Sequence, residues 1–153
     1  MPNNDNLDLE AAGSWAKKYF LARRALMESV LRPYDLGTTQ WHVLYLLAHD
    51  KPINQRELTR TLEIERATLS AVISALVRKG FVKQISDPHD QRQKLLQLTI
   101  AGRNLWATLP DPIGLITAVA FDGVDDAEIA LANRVLRDAT QRLNNYKNER
   151  KSI

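Results

Sequence analysis

Apolar residues recur along this chain mostly at helical spacing, with one short interruption where strand-forming residues take over. Near the start, Leu9, Ala12, Ala16, Tyr19, Phe20, Leu26, Met27 and Val30 fall on one stripe and predict an amphipathic helix over 9–31. Residues 1–8 ahead of it are polar and expected to be flexible. Pro33 bars continuation, because the residue before a proline is pushed out of the α region. A second helix is expected with Thr38 as its N-cap, carrying Trp41, Val43, Leu44, Leu46 and Leu47. That segment is apolar nearly all round, so it should lie in the middle of the domain.

The stretch from Asn54 to Thr99 organises the rest. Asn54 followed by Glu57 has the form of a capping box at the head of a short helix, with Leu58 and Leu62 turned inward. Only Glu63 and Ile64 separate it from a helix over 65–79, which Gly80 stops. The buried stripe of this second helix is expected at Leu69, Val72, Ile73 and Leu76. Its opposite face carries Arg66, Ala67, Thr68, Ser70, Ala71 and Ser74, all short except the arginine. An ordinary solvated face would be filled with Glu and Lys, whereas a short-chained face fits a groove about 12 Å wide. Strand-forming runs over 81–85 and 93–99 then flank the polar tip Ser86-Asp87-Pro88-His89-Asp90-Gln91-Arg92, which predicts a β-hairpin. Lys51-Pro52-Ile53 is a break and a candidate third strand beside it. Helix, tight turn, helix and charged hairpin make a winged helix-turn-helix, whose second helix enters the DNA major groove.

After Thr99, a plausible cap, a helix through Leu105 and Trp106 is interrupted at Pro110-Asp111-Pro112, since each proline removes an intrahelical hydrogen bond. It resumes over 113–121 and closes at Asp122-Gly123. Ile129, Ala132, Leu136, Ala139, Leu143 and Tyr146 then repeat at spacings of 3, 4, 3, 4 and 3, a heptad-like seam. Amphipathic helices at both ends suit a homodimer that buries both stripes, with Leu9, Ala12, Ala16, Ile129, Ala132, Leu136, Ala139 and Leu143 at its interface. The expected layout is a flexible segment over 1–8, a dimerisation helix over 9–36 and a DNA-binding domain over 37–99. Further dimerisation helices span 100–147 and a tail spans 148–153. The fold class is mainly α with a small β-wing.

Charge sharpens this picture. Between Lys51 and Arg103 there are ten Lys or Arg against five acids, and the remainder of the chain is net negative. A basic segment of this kind suits a polyanion, although charge alone would equally fit a solvated surface. There is no cysteine, so disulfides and thiolate chemistry are excluded. No basic stretch followed by an apolar run opens the sequence, so no secretory signal is expected and the cytoplasm is the default location. His42, His49 and His89 lack metal-ligand spacing, and there is no phosphate loop or nucleophile elbow. No enzyme, metal or cofactor is expected.

The tip Asp87-Pro88-His89-Asp90-Gln91-Arg92, followed by Leu98-Thr99-Ile100-Ala101-Gly102, resembles the MarR/SlyA family of transcription regulators. Its pattern there is Asp-x-x-Asp-x-Arg and then Leu-Thr-x-x-Gly. Supporting matches are 36–41, Arg56-Glu57-Leu58, and Thr68-Leu69-Ser70 followed by Leu76 and Gly80, so the likeness covers nearly the whole chain. The resemblance implies a homodimeric DNA-binding regulator, with repression as its expected mode and a pseudo-palindromic operator as its target. It places Arg92 in the minor groove with Asp90 positioning its guanidinium; an Asp90–Arg92 pair that only stiffens the tip is the alternative. Gln55, Arg56, Arg66, Ala67, Thr68, Ser70, Ala71, Ser74, His89, Asp90, Arg92 and Lys94 are the expected DNA-binding residues. Ala71 stands where the family often has an arginine, so base reading falls to Arg66, Thr68 and Ser70 or rests on DNA shape. The break at Pro110–Pro112 also departs from a helix that usually runs long.

Family members commonly bind small aromatic or phenolic molecules between the dimerisation helices and the DNA-binding lobe. By that resemblance Phe20, Arg24, Trp41 and Tyr45 are candidate ligand residues, though Trp41 and Tyr45 would serve equally well as core. The competing function is a winged-helix module that binds protein rather than DNA, against which Arg92, Lys94 and the polar face around Ser70 argue.

Overall fold

The computed structural model describes residues 9–49 and 51–152. Helix α1 (Leu9–Leu31) leads through a 3-10 turn at Arg32–Tyr34 to α2 (Thr38–His49). Strand β1 (Ile53–Asn54), α3 (Gln55–Leu62), α4 (Arg66–Arg78), β2 (Val82–Ser86) and β3 (Lys94–Leu98) follow. Helices α5 (Ile100–Thr108), α6 (Pro112–Ala120) and α7 (Asp126–Lys151) complete the chain. No described helix is long and apolar enough to cross a membrane. The fold is mainly helical with a small antiparallel wing, as the apolar spacing predicts.

The chain divides into two compact units after Ile116. In the first, Met27 and Leu31 of α1 share one core with Trp41, Val43, Leu44 and Leu47 of α2, Leu58 of α3, and Leu69, Ile73 and Leu76 of α4. Val82, Leu96 and Leu98 close that core from the sheet. Leu58, Leu69 and Leu76 are fully buried, and each such side chain contributes about 1.5–3 kcal/mol. Val72 is only half-buried, at the rim of the stripe. The second unit carries α7, none of whose residues is buried. That helix runs on to Lys151, so the tail expected over 148–153 is helical for most of its length. The segment expected to be flexible, 1–8, lies outside the described residues.

Local chemistry sets the boundaries. Asn54 caps α3, its side-chain oxygen accepting the Glu57 N–H at 2.8 Å. Only this half of the expected capping box is made. Thr38 is the first residue of α2 rather than its cap: the Gly37 carbonyl accepts the first helical bond, from Trp41 N–H at 3.0 Å, and the Gln40 side chain takes the Gly37 N–H at 3.2 Å. The turn from α3 to α4 is tight because Glu63 adopts a left-handed conformation, φ 53°. Helix α4 ends with Gly80 at φ 80°, where Phe81 N–H returns to Leu76 O and Gly80 N–H to Val77 O, the double bond of a glycine C-cap.

The sheet order is β1-β3-β2, all antiparallel. Val82 pairs with Leu98 and Gln84 with Leu96, so these four share one face. That face is apolar at the base of the hairpin and turns polar at Gln84 and Lys94 towards the tip. At the base, Thr99 caps α5 by accepting the Gly102 N–H at 3.0 Å and donates its own hydroxyl to Gly80 O at 2.5 Å. A side chain at Gly102 would run into the carbonyl of Phe81. Thus the Leu98-Thr99 and Gly102 signature is the joint between the wing and the exit of α4.

Candidate nucleic-acid interface

The start of α3, the exposed side of α4 and the inner face of the wing enclose an open cleft of about 740 Å³. Arg56 and Gln55 reach it from α3, Arg66 and Ser70 from α4, and Arg92 and Lys94 from the wing. It holds four cations and no carboxylate. Half of the expected DNA-binding residues therefore converge. Ala67, Thr68, Ala71 and Ser74 lie on the exposed remainder of the α4 face, and His89 and Asp90 stay at the tip, outside the cleft lining.

Two side-chain bonds brace the cleft. Gln55 Nε2 donates to Ser70 Oγ at 2.6 Å, joining α3 to α4. Asn54 Nδ2 donates to Gln93 Oε1 at 3.2 Å, joining the cap of α3 to the wing. Asn54, Thr59, Gln84 and Gln93 line the cleft without having been expected there. Gln84 was the most accessible of these to sequence reasoning, since it lies two residues from the buried Val82 and must share its face. Gln93 depends on the fold of the tip.

That tip is held by acids bonded to backbone. Asp87 accepts the His89 N–H at 2.9 Å and Asp90 accepts the Arg92 N–H at 3.0 Å. Asp90 thus positions the main chain of Arg92 and not its guanidinium. Among the described residues no carboxylate lies within ion-pair distance of that guanidinium, which is left exposed at the mouth of the cleft.

The candidate ligand residues lie on two helices, Phe20 and Arg24 on α1 and Trp41 and Tyr45 on α2. Trp41 stacks on Tyr45 with ring centroids 5.3 Å apart, and Trp106 joins both at 5.5 and 5.9 Å. His49 completes the cluster, 4.4 Å from Tyr45 and 5.7 Å from Trp106. The Trp41 indole N–H is buried without an acceptor among the described residues. Phe20 and Arg24 are exposed on α1, and Arg24 pairs with Glu28 at 3.0 Å. Of the expected dimer residues, Ala12, Ala16, Ala132, Leu136, Ala139 and Leu143 are exposed and Ile129 is half-buried. The Leu9 side chain lies outside what the structure describes.

Comparison with known proteins places this arrangement. A model of the MarR family matches residues 34–93, from the turn after α1 to the wing tip. The HTH-type transcriptional regulator YdcH of Bacillus subtilis is 32% identical over 106 residues, which cover 66% of this chain and 67% of that protein. Three other relatives are matched over about half of their own length. Among solved structures, a mutant of Escherichia coli MarR complexed with operator DNA superposes with a TM-score of 0.76 at 21% identity, over 91% of this chain and 99% of that one. Bordetella bronchiseptica BpsR, whose DNA binding is regulated by 6-hydroxynicotinic acid, gives a TM-score of 0.74 at 24% identity, covering 84% of this chain and 91% of that one. At these identities the structural likeness establishes the fold, and the sequence match establishes kinship. The chain belongs to the MarR family: it is a winged helix-turn-helix, DNA-binding transcription regulator and not an enzyme.

Proposed function

We propose that two copies of this chain bind a pseudo-palindromic operator and repress transcription from it, acting in the cytoplasm. The observation that carries this reading is the cleft of four cations without a carboxylate between α4 and the wing. Helix α4 enters the major groove, presenting Arg66, Ala67, Thr68, Ser70, Ala71 and Ser74. The wing follows the adjacent minor groove with Arg92, where narrow A·T tracts concentrate negative potential. His89 and Lys94 contact phosphates beside it. The two-fold axis sets half-sites about one helical turn, roughly 10 bp, apart. Dimerisation rests on α1 and on the helices over 100–147, through two stripes, one with Ala12 and Ala16 and the other with Ile129, Ala132, Leu136, Ala139 and Leu143.

A small aromatic acid or phenol releases the operator. Support for this lies at Trp41, whose buried N–H lacks an acceptor that a carboxylate or phenolate would supply, and in the stacked Tyr45 beside it. Phe20 and the Arg24 cation, once it leaves Glu28, complete the ligand's surroundings. The regulation of BpsR by a hydroxylated aromatic acid is consistent with the same chemistry. The ligand acts through its differential affinity for two arrangements of the dimer.

The test is fluorescence anisotropy on duplex DNA from upstream of the gene, at two salt concentrations, with random DNA as competitor. Tight binding that survives competitor and weakens steeply with salt supports the reading. Absence of binding at low salt would overturn it in favour of a protein-binding module.

A further inference from the structure

We propose that Gln93 is a phosphate-binding residue of the DNA interface and that Asn54, the cap of α3, is its positioning residue. The inference rests on the reading in which α4 occupies the major groove and the wing the minor groove. The sugar-phosphate strand that separates those grooves must then cross the cleft between α4 and the wing.

The orientation of both amides follows from the helix cap. Asn54 Oδ1 is committed to the Glu57 N–H at 2.8 Å. Its other end is therefore the amide nitrogen, which donates across 3.2 Å to the wing. The group that receives it on Gln93 must be Oε1, because an amide nitrogen accepts no hydrogen bond. Gln93 Nε2 is left with both N–H groups unspent, and among the described residues no acceptor takes them. The main chain of Gln93 is also fixed: its N–H donates to Asp90 O at 3.0 Å and its carbonyl accepts the Asp87 N–H at 3.2 Å. Cap, wing and tip thus hold one neutral, donor-only group in the cleft, beside Arg92 and Lys94. A phosphate oxygen offers only acceptor lone pairs, so it fits this group, and the bond gains strength from the phosphate's charge.

The experiment is anisotropy with two labelled duplexes, one of mixed sequence and one carrying the operator, on the full chain. Gln93→Ala is expected to weaken binding to both by about tenfold, the value of a hydrogen bond to a charged group. Its salt dependence should stay that of wild type, because a neutral donor displaces no counterion. Gln93→Met, which keeps the side-chain length, should behave alike if Gln93→Ala disturbs the hairpin. Asn54→Asp retains a good N-cap but offers only acceptors to Gln93, which must then turn Nε2 towards it and Oε1 towards the DNA. Asn54→Asp should therefore weaken binding strongly in wild type and little in the Gln93→Ala background. Equal losses in both backgrounds would mean simple repulsion by the new carboxylate and would overturn the positioning role. A loss confined to the operator would overturn the phosphate assignment. Wild-type affinity in both folded Gln93 variants would overturn the proposal while leaving the DNA-binding reading intact; failure of wild type to bind either duplex would end both.

Discussion

The Gln55 side-chain amide donates to the Ser70 hydroxyl at 2.6 Å, so a polar bond inside the cleft ties the first residue of α3 to the exposed face of α4. A hydroxyl that accepts in this way keeps its own hydrogen to give. Among the described residues no helix carbonyl takes it, so in the proposed complex the hydroxyl has a donor to give to an acceptor on a base edge. We expect Ser70→Ala to lower operator affinity by about tenfold, roughly 1.4 kcal/mol. Stability should change by only about 0.5 kcal/mol, because the site is half exposed. Competition anisotropy on operator and mixed-sequence DNA checks this: an equal loss on both would mean that Ser70 reads no base.

Arg92 leaves its guanidinium exposed while Asp90 holds its backbone. Arg92→Ala should cost about 1–3 kcal/mol of DNA affinity. It should also lower the slope of log affinity against log salt by about one. A salt titration of the folded variant measures both, and an unchanged operator affinity would falsify the wing contact.

Gly102 packs against the backbone of Phe81, where no flexible side chain is available to move aside. Gly102→Ala should therefore destabilise the fold by about 1–3 kcal/mol, as overpacking in a tight core does. Urea unfolding followed by circular dichroism measures it. A variant as stable as wild type would mean that the joint between wing and α4 yields freely.

Leu136 is 50% exposed on α7. In the proposed dimer it lies on the buried seam, where Leu136→Asp would set a charge against an apolar surface. Self-association should weaken by about 2–4 kcal/mol. Sedimentation equilibrium tests this directly, and a dimer as tight as wild type would place the interface elsewhere.

Much of this was legible in the sequence, for identifiable reasons. Asn54, Thr99 and Gly80 declare helix ends through the chemistry of their own side chains or lack of one. The stripe Leu69, Ile73 and Leu76 declares the buried side of α4 by period alone. What escaped depended on partners distant in the chain. Gln93 enters the cleft because Asn54 reaches across 39 positions to hold it. Asp90 bonds backbone instead of guanidinium because the tip folds as a pair of Asx turns, a choice that the six-residue motif leaves open. The left-handed conformations of Asp35 and Glu63 also went unread, since neither is the glycine that usually marks such a turn. Trp106 joined the aromatic cluster only once α5 was seated against α2.

Helix α7 is 26 residues long and none of them is buried. A lone helix gains little stability from its backbone, most of it coming from the surface it packs on. If a second chain supplies that surface, the free energy of the fold acquires a mass-action component. Thermal unfolding would then be bimolecular, with a midpoint that climbs as the protein is concentrated. Dilution would cost the regulator its DNA affinity and its structure together, which makes the number of copies in the cell a determinant of both.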